Sequence, residues 1–129
     1  MASELTILSV NAQPRARFEP ENILGVILLD SPLSSASVGY VEPGMAQARH
    51  FHLRPDRGEE LIFVDQGHFR LVTSNGPHEF NVEENGPVFI RVPSGTEASI
   101  ENVGANQVRF LSVFVPPFAP GEIQFLVAQ

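Results

Sequence analysis

The chain of 129 residues contains no cysteine and no lysine, and all eight of its basic residues are arginines. Without cysteine there is no disulfide, no thiolate nucleophile and no sulfur ligand for a metal. Without lysine, no lysine Schiff base can form with a carbonyl substrate or with pyridoxal phosphate. These absences leave serine, the carboxylates and histidine as the candidate groups for covalent catalysis.

Long apolar runs and clusters of positive charge are also missing. The longest apolar run covers residues 23–29, whereas a membrane-spanning helix needs roughly 20 residues. The formal net charge is −7, which disfavours binding to a phosphate backbone. The first residues, MASELTILSV, carry neither a positively charged segment nor a cleavage pattern. We therefore expect a cytoplasmic protein that binds neither membranes nor nucleic acid.

Turn-forming residues are abundant and evenly spread. Eleven prolines and ten glycines interrupt the chain, which leaves little room for a long helix. About ten short strands at even spacing predict an all-β sandwich or barrel. The predicted strands are residues 5–10, 23–29, 37–41, 48–53, 60–65, 69–73, 79–82, 88–92, 98–102 and 108–115, and residues 122–129 are either a short helix or a further strand.

Two histidines and a glutamate form the main candidate site. His50 and His52 are one residue apart, so on a strand their side chains lie on the same face. The next strand begins at Glu60 and would place residues 60, 62 and 64 on its inner face. Two imidazoles and one carboxylate can bind one face of a divalent metal ion and leave positions open for substrate. An H-x-H pair alone is also compatible with histidines that only form hydrogen bonds.

The spacing around these residues resembles the first conserved motif of the cupin superfamily, G-x5-H-x-H-x3/4-E-x6-G. The first half runs from Gly44 to His52 and the second from Glu60 to Gly67. The loop between the halves, LRPDRGE, has seven residues and is longer than in the family. The weaker candidates for the acidic ligand are Asp56 and Glu59.

The segment GPVFIRVPSGTEASIEN resembles the second cupin motif, G-x5-P-x-G-x2-H-x3-N, with one extra residue before the proline. It starts at Gly86 and ends at Asn102. The histidine that usually supplies the fourth metal ligand in the family is replaced by Ala98. The neighbouring Glu97 would take its place only if a bulge reversed its direction.

The resemblance implies one double-stranded β-helix, or jelly-roll barrel, spanning residues 1–129 as a single domain. Residues 44–115 would form the motif-bearing barrel, residues 1–43 flanking strands and residues 116–129 a tail. It implies a small molecule inside the barrel and an iron, manganese, nickel or zinc ion on His50, His52 and Glu60. If Ala98 marks a metal-free site, no cofactor is expected.

Three functions stay open at this point. The first is a metal-assisted isomerase, cyclase, lyase or dioxygenase. The second is a metal-free cyclase or isomerase of secondary metabolism that uses His50, His52 and Glu60 for acid–base catalysis. The third is a small-ligand-binding protein without catalysis. A sensor of this type is usually fused to a DNA-binding domain, and its absence from the sequence favours an enzyme.

Several other residues are candidates with two interpretations each. Tyr40 and Arg91 are candidate substrate-binding residues, or else a packed tyrosine and a solvent-facing arginine. Phe51 and Leu53 alternate with the histidines and would face outward, which predicts a homodimer. Arg109 has the same ambiguity as Arg91, while the expected solvent-exposed residues are Arg54, Arg57, His68 and His78.

Overall fold

Short antiparallel strands make up most of the chain in the computed structural model, which describes residues 5–18, 22–55, 58–119 and 121–126. No helix among these residues is long and apolar enough to cross a membrane. The elements are a 3-10 helix (Val10–Ala12), β1 (Ala16–Phe18), β2 (Ile23–Asp30), β3 (Ser35–Val41), β4 (His50–His52), β5 (Glu59–Gln66), β6 (His68–Thr73), β7 (Gly76–Asn81), α1 (Val82–Asn85), β8 (Val88–Pro93), β9 (Ser99–Asn102), β10 (Val108–Val115) and β11 (Ile123–Phe125).

The described strands form three sheets, in which the spatial order of the strands differs from their order in the sequence. The largest sheet has the order β1-β2-β3-β10-β5-β8, and two smaller sheets have the orders β7-β6-β9 and β11-β4. Strand β10 pairs with β3 on one side and with β5 on the other. Strands distant in sequence are therefore neighbours in space, as in a jelly roll. The all-β prediction is confirmed.

The core lies on the inner face of the large sheet, where alternate residues are buried. Ile62 and Val64 on β5 are 3% and 0% exposed, and Phe110 on β10, which pairs with Val64, is 3% exposed. Phe63, between the two buried β5 residues, is 42% exposed. The predicted inner face of residues 60, 62 and 64 is confirmed, because successive side chains of a strand point to opposite faces.

The last residues of the two motif matches, Gly67 and Asn102, have structural roles in turns. Gly67 has a φ of +109°, and a Cβ there would lie 2.7 Å from Cγ2 of Val108. A larger residue is therefore excluded at this position both by conformation and by space. The Asn102 side-chain amide donates hydrogen bonds to the carbonyls of Val41 and Asn106, each at 2.8 Å. The first contact joins the end of β9 to the end of β3, and the second closes the turn between β9 and β10.

The N-terminal strand prediction is wrong. Residues 5–9 form no strand, and Leu5 and Ile7 are 85% and 81% exposed. A strand needs a neighbour for its backbone hydrogen bonds, and no described strand pairs with this segment. The edge strand is instead Ala16–Phe18, which pairs with β2.

A helical turn replaces the end of the predicted strand 79–82. Strand β7 ends at Asn81, whose side-chain oxygen accepts a hydrogen bond from the backbone N–H of Glu84 at 3.3 Å. Asparagine is a favoured N-cap residue for this reason. Val82 then turns into the core, so the prediction that it belongs to the strand is wrong.

The C-terminal segment folds back onto the histidine strand. β11 pairs with β4 so that Ile123 lies opposite His52 and Phe125 opposite His50. Of the two sequence-based alternatives for residues 122–129, the strand is observed over Ile123–Phe125.

The homodimer was predicted from Phe51 and Leu53. Phe51 is half-buried and Leu53 is 53% exposed. The homodimer and the cytoplasmic location stay predictions.

Candidate functional site

An apolar cavity of about 490 Å³ opens between the large sheet and the histidine strand. Its volume is in the range of small-molecule sites, which are mostly apolar with a few convergent polar groups. Four polar lining residues, His50, His52, Glu60 and Ser112, form one connected group, which we call the polar end. The other polar residues of the lining are Arg17, Asp30, Ser35, Ser37 and Gln47. The apolar walls include Phe18, Ile23, Ile27, Phe110, Phe114 and Phe118.

His50 is held by the segment just before β4 and by β9. Its backbone N–H donates to Oγ of Ser99 at 3.1 Å, and its Nδ1 lies 2.8 Å from the carbonyl oxygen of Ala48. A carbonyl can only accept a hydrogen bond, so the proton is on Nδ1 and Nε2 carries a lone pair. Burial lowers the pKa of His50, which keeps the imidazole neutral at pH 7.

His52 is held by a carboxylate. Its Nδ1 lies 2.9 Å from Oε2 of Glu122, and its Nε2 lies 3.7 Å from Oε1 of Glu60. Burial, followed by the neighbouring His50 and the charge of Arg54, lowers the pKa of His52 to about 3. A carboxylate neighbour on its own would favour the charged imidazole. Here Nη1 of Arg54, 2.5 Å from Oε1 of Glu122, offsets that negative charge.

The Glu60 side chain faces His52 from β5. Oγ of Ser112 on β10 donates a hydrogen bond to its Oε2 at 3.0 Å, while Oε1 is directed at His52. The two imidazole rings are 5.1 Å apart between centroids. The structure therefore brings all three predicted site residues together at the polar end of one cavity.

Glu122 and Arg54 support the candidate site from behind His52, and the sequence does not reveal them. Glu122 lies 70 residues from His52 along the chain, and no motif contains it. The Arg54 side chain is 0% exposed, so its assignment to a solvated loop is wrong. The buried position is explained by Glu122 and by a hydrogen bond from Nη2 to the carbonyl of Pro116. Arg57 and Asp56 lie outside the described residues.

The position of the missing histidine carries no ligand. Ala98 is buried in the hydrophobic core at 6% exposure. Glu97 does not replace it, because its carboxylate accepts hydrogen bonds from Nε and Nη2 of the exposed Arg49, at 2.6 and 2.9 Å. It pairs across the strands with Phe51, on the face opposite the histidines. No bulge turns Glu97 into the cavity.

The two candidate substrate-binding residues lie elsewhere. Tyr40 packs with Val26 and Val38 in a second core cluster, while its neighbour Gly39 lines the cavity. Arg91 is 62% exposed on the outer face of the sheet and pairs with Glu59. The other candidates also lie outside the cavity lining: Arg109 pairs with Asp65, His68 is half-buried and pairs with Glu79, and His78 is exposed as expected.

Replacing Tyr40 by phenylalanine should raise the free energy of unfolding by about 1 kcal/mol, because a buried hydroxyl without a partner is costly. The Tyr40 hydroxyl has no hydrogen-bond partner among the described residues, and the ring also packs under the guanidinium of Arg15 at 3.7 Å. Urea unfolding of Tyr40→Phe measures the change. A loss of more than 1 kcal/mol would show instead that the hydroxyl has a stabilising partner.

The donor chemistry of the site fits a divalent metal ion in part. His50 and His52 both carry an unprotonated Nε2, the form of histidine that binds metals, and both have Nδ1 fixed by an acceptor. Among the described residues, however, no group of three histidines or carboxylates is placed to hold an ion. Glu60 is engaged by Ser112.

Comparison with known proteins shows the fold. No model of a known protein family and no curated protein matches the chain. A solved structure from Klebsiella pneumoniae with a double-stranded β-helix domain has a TM-score of 0.75 at 20% identity, covering 97% of this chain and 100% of its own. The chain therefore has the double-stranded β-helix fold of the cupins, as the two motifs predict.

Two further solved structures with this fold are enzymes by their descriptions. The polyketide cyclase RemF from Streptomyces resistomycificus has a TM-score of 0.79 at 18% identity, covering 98% of this chain and 88% of its own. A sugar phosphate isomerase of the cupin superfamily from Silicibacter pomeroyi has a TM-score of 0.74 at 18% identity, covering 95% of this chain and 83% of its own. At these identities the likeness concerns the fold, since one fold hosts many functions.

Proposed function

We propose that this chain is a cupin-type enzyme that transfers a proton on an uncharged, ring-bearing small molecule, as an isomerase or cyclase does. One observation carries the proposal. The neutral imidazoles of His50 and His52 lie 5.1 Å apart between centroids, each with an Nε2 lone pair, and Nε2 of His52 lies 3.7 Å from the Glu60 carboxylate at the polar end of an apolar cavity. Such a convergence of polar groups in an apolar pocket is the usual form of a small-molecule active site.

The charges of the cavity support an uncharged substrate. Arg17 is the one cation among the described residues that line it, and its Nη1 is bonded to Oδ1 of Asn22 at 2.7 Å on the exposed side. At the polar end the carboxylate of Glu60 would repel a phosphate or a carboxylate. The aromatic walls fit flat apolar rings. These features favour the kind of substrate named for the polyketide cyclase over a sugar phosphate.

The proton-transfer roles follow from the geometry. His52 is a weak base because its pKa is about 3, so we assign proton abstraction to Glu60, which Ser112 orients. His50 and His52 accept hydrogen bonds from substrate hydroxyl groups through Nε2. The 3.7 Å between Nε2 of His52 and Oε1 of Glu60 lets one substrate atom contact both groups.

The test uses 6-hydroxy-2-tetralone, an uncharged bicyclic ketone that has acidic protons next to its carbonyl and a phenol hydroxyl that can donate to Nε2 of a histidine. The protein should accelerate the exchange of these protons in deuterated buffer, followed by proton NMR. Glu60→Gln should lower the exchange rate by roughly 10²- to 10⁴-fold and leave binding of the ketone near normal.

The matched control is Glu59→Gln, which alters the neighbouring carboxylate that pairs with Arg91 on the outer face. It should exchange at the rate of the unsubstituted protein. Equal rates for the two variants would contradict the role of Glu60. Binding of the ketone without any acceleration by the unsubstituted protein would favour the non-catalytic ligand-binding alternative.

A metal-assisted reaction is the second candidate, and the tautomers of the two histidines favour it. His50 and His52 would hold an iron, manganese, nickel or zinc ion through Nε2, with Glu60 as the acidic ligand. The ion would supply Lewis-acid activation of a substrate oxygen. Metal analysis of untagged protein separates the candidates: a near-stoichiometric ion that a His50→Ala/His52→Ala variant lacks supports this candidate. No bound ion after incubation with the four metal salts would contradict it.

A further inference from the structure

Glu122 occupies a fully bonded position behind the candidate site. Its side chain is 4% exposed, and its carboxylate lies between three donors: Nδ1 of His52 at 2.9 Å, Nη1 of Arg54 at 2.5 Å and the backbone N–H of Ala119 at 2.8 Å. A buried carboxylate is stable only when such partners surround it. Its position is therefore well determined.

We propose that Glu122 is a positioning residue that fixes the tautomer of His52 and ties the C-terminal wall of the cavity to that histidine. The inference rests on the proposed function in one respect, that His52 acts through Nε2. No motif of the sequence contains Glu122.

The tautomer argument depends on what each atom can donate. A neutral imidazole has one N–H, and a carboxylate can only accept, so Glu122 places the proton of His52 on Nδ1. Without Glu122, no other residue in the described part of the chain is seen to accept that proton. Nε2–H would then be favoured, because Oε1 of Glu60 lies 3.7 Å from Nε2 and a shift of less than about 1 Å would bring it to hydrogen-bond distance. His52 would lose the lone pair that faces the substrate.

Glu122 also anchors the wall that carries Phe118. The Phe118 ring lies 5.7 Å from the ring of His52 and 5.4 Å from that of Phe114, between centroids. The backbone carbonyl of Glu122 accepts a hydrogen bond from Leu53 at 2.8 Å. One residue thus connects the histidine strand, the buried Arg54 and the aromatic wall.

His50 supplies an internal control, because its Nδ1 proton is held by the backbone carbonyl of Ala48 rather than by a side chain. A change at position 122 should therefore alter the tautomer of His52 and leave that of His50 unchanged.

The experiment is long-range proton–nitrogen NMR of the four histidines of ¹⁵N-labelled protein at pH 7.5. In the unsubstituted protein His50 and His52 should both carry the proton on Nδ1. In Glu122→Leu the His52 signals should change to the Nε2–H form, and in Glu122→Gln, whose amide oxygen can still accept, the Nδ1–H form should persist. The proposal is overturned if His52 keeps its Nδ1 proton in Glu122→Leu, or if His50 changes as well.

Glu122→Leu leaves the charge of Arg54 buried and unpaired, which endangers folding. The double variant Arg54→Met/Glu122→Leu removes both charges and should give the same change at His52 in a folded protein. The NMR result does not depend on turnover, so it stands if exchange of the ketone protons is absent. If exchange occurs, loss of Glu122 should lower kcat by roughly 10- to 100-fold with little change in KM.

Discussion

Replacing Arg54 by methionine should lower the free energy of unfolding by about 3–5 kcal/mol, because it leaves a buried carboxylate without its counter-charge. The Arg54 side chain is 0% exposed and that of Glu122 is 4% exposed, so water cannot solvate the carboxylate in the variant. Methionine has a similar length and stays apolar, and the packing against Phe114 is largely kept. Urea unfolding at pH 7 measures the loss.

Arg91→Met is the matched control for this prediction. Arg91 forms its ion pair with Glu59 at the surface, where its side chain is 62% exposed, and such pairs contribute less than about 1 kcal/mol. The double variant Arg54→Met/Glu122→Leu should recover most of the loss, since both charges are then removed. Equal losses for Arg54→Met and Arg91→Met would disprove the buried ion pair as a source of stability.

Acidification from pH 7 to pH 4.5 should destabilise the fold through the neutral buried histidines. Folding lowers the pKa of His52 from 6.5 to about 3, so between these values the unfolded chain binds a proton that the folded chain does not. The free energy of unfolding then falls by about 1.4 kcal/mol per pH unit below 6.5, which is about 2.7 kcal/mol at pH 4.5. The lowered pKa of His50 acts in the same direction.

Urea unfolding at several pH values between 7 and 4.5 tests this dependence. A His52→Gln variant should lose less stability over this range than the unsubstituted protein, because one of the protonating groups is gone. His78→Gln changes an exposed histidine and should leave the slope unchanged. If His52→Gln and the unsubstituted protein have the same slope, His52 is not the group responsible.

The barrel and the central site residues were predictable because their signals are local. Strand alternation places residues 60, 62 and 64 on one face, and the H-x-H spacing places both imidazoles together. Gly67 and Asn102 are recognisable because a turn with positive φ and a turn closed by a side-chain amide demand particular residues.

The face of β3 that lines the cavity was not predictable, and Tyr40 shows why. Alternation separates the two faces of a strand but does not say which is inside. Large residues usually mark the interior, yet Gly39 lines the cavity and a Cβ there would lie 2.3 Å from the ring of Phe110. Val38 and Tyr40 pack instead beneath the N-terminal segment, with Val10 against them. The contacts of Glu122 were hidden for another reason, since 70 residues separate it from His52.

The tautomers of the two histidines differ in how easily a substitution can change them. The Nδ1 proton of His50 is held by the main-chain oxygen of Ala48, and every amino acid at position 48 supplies such an oxygen. The equivalent partner of His52 is a side chain, so a single codon can replace it. A substitution at position 122 can therefore change the tautomer of His52, whereas the tautomer of His50 is kept as long as the backbone conformation is kept.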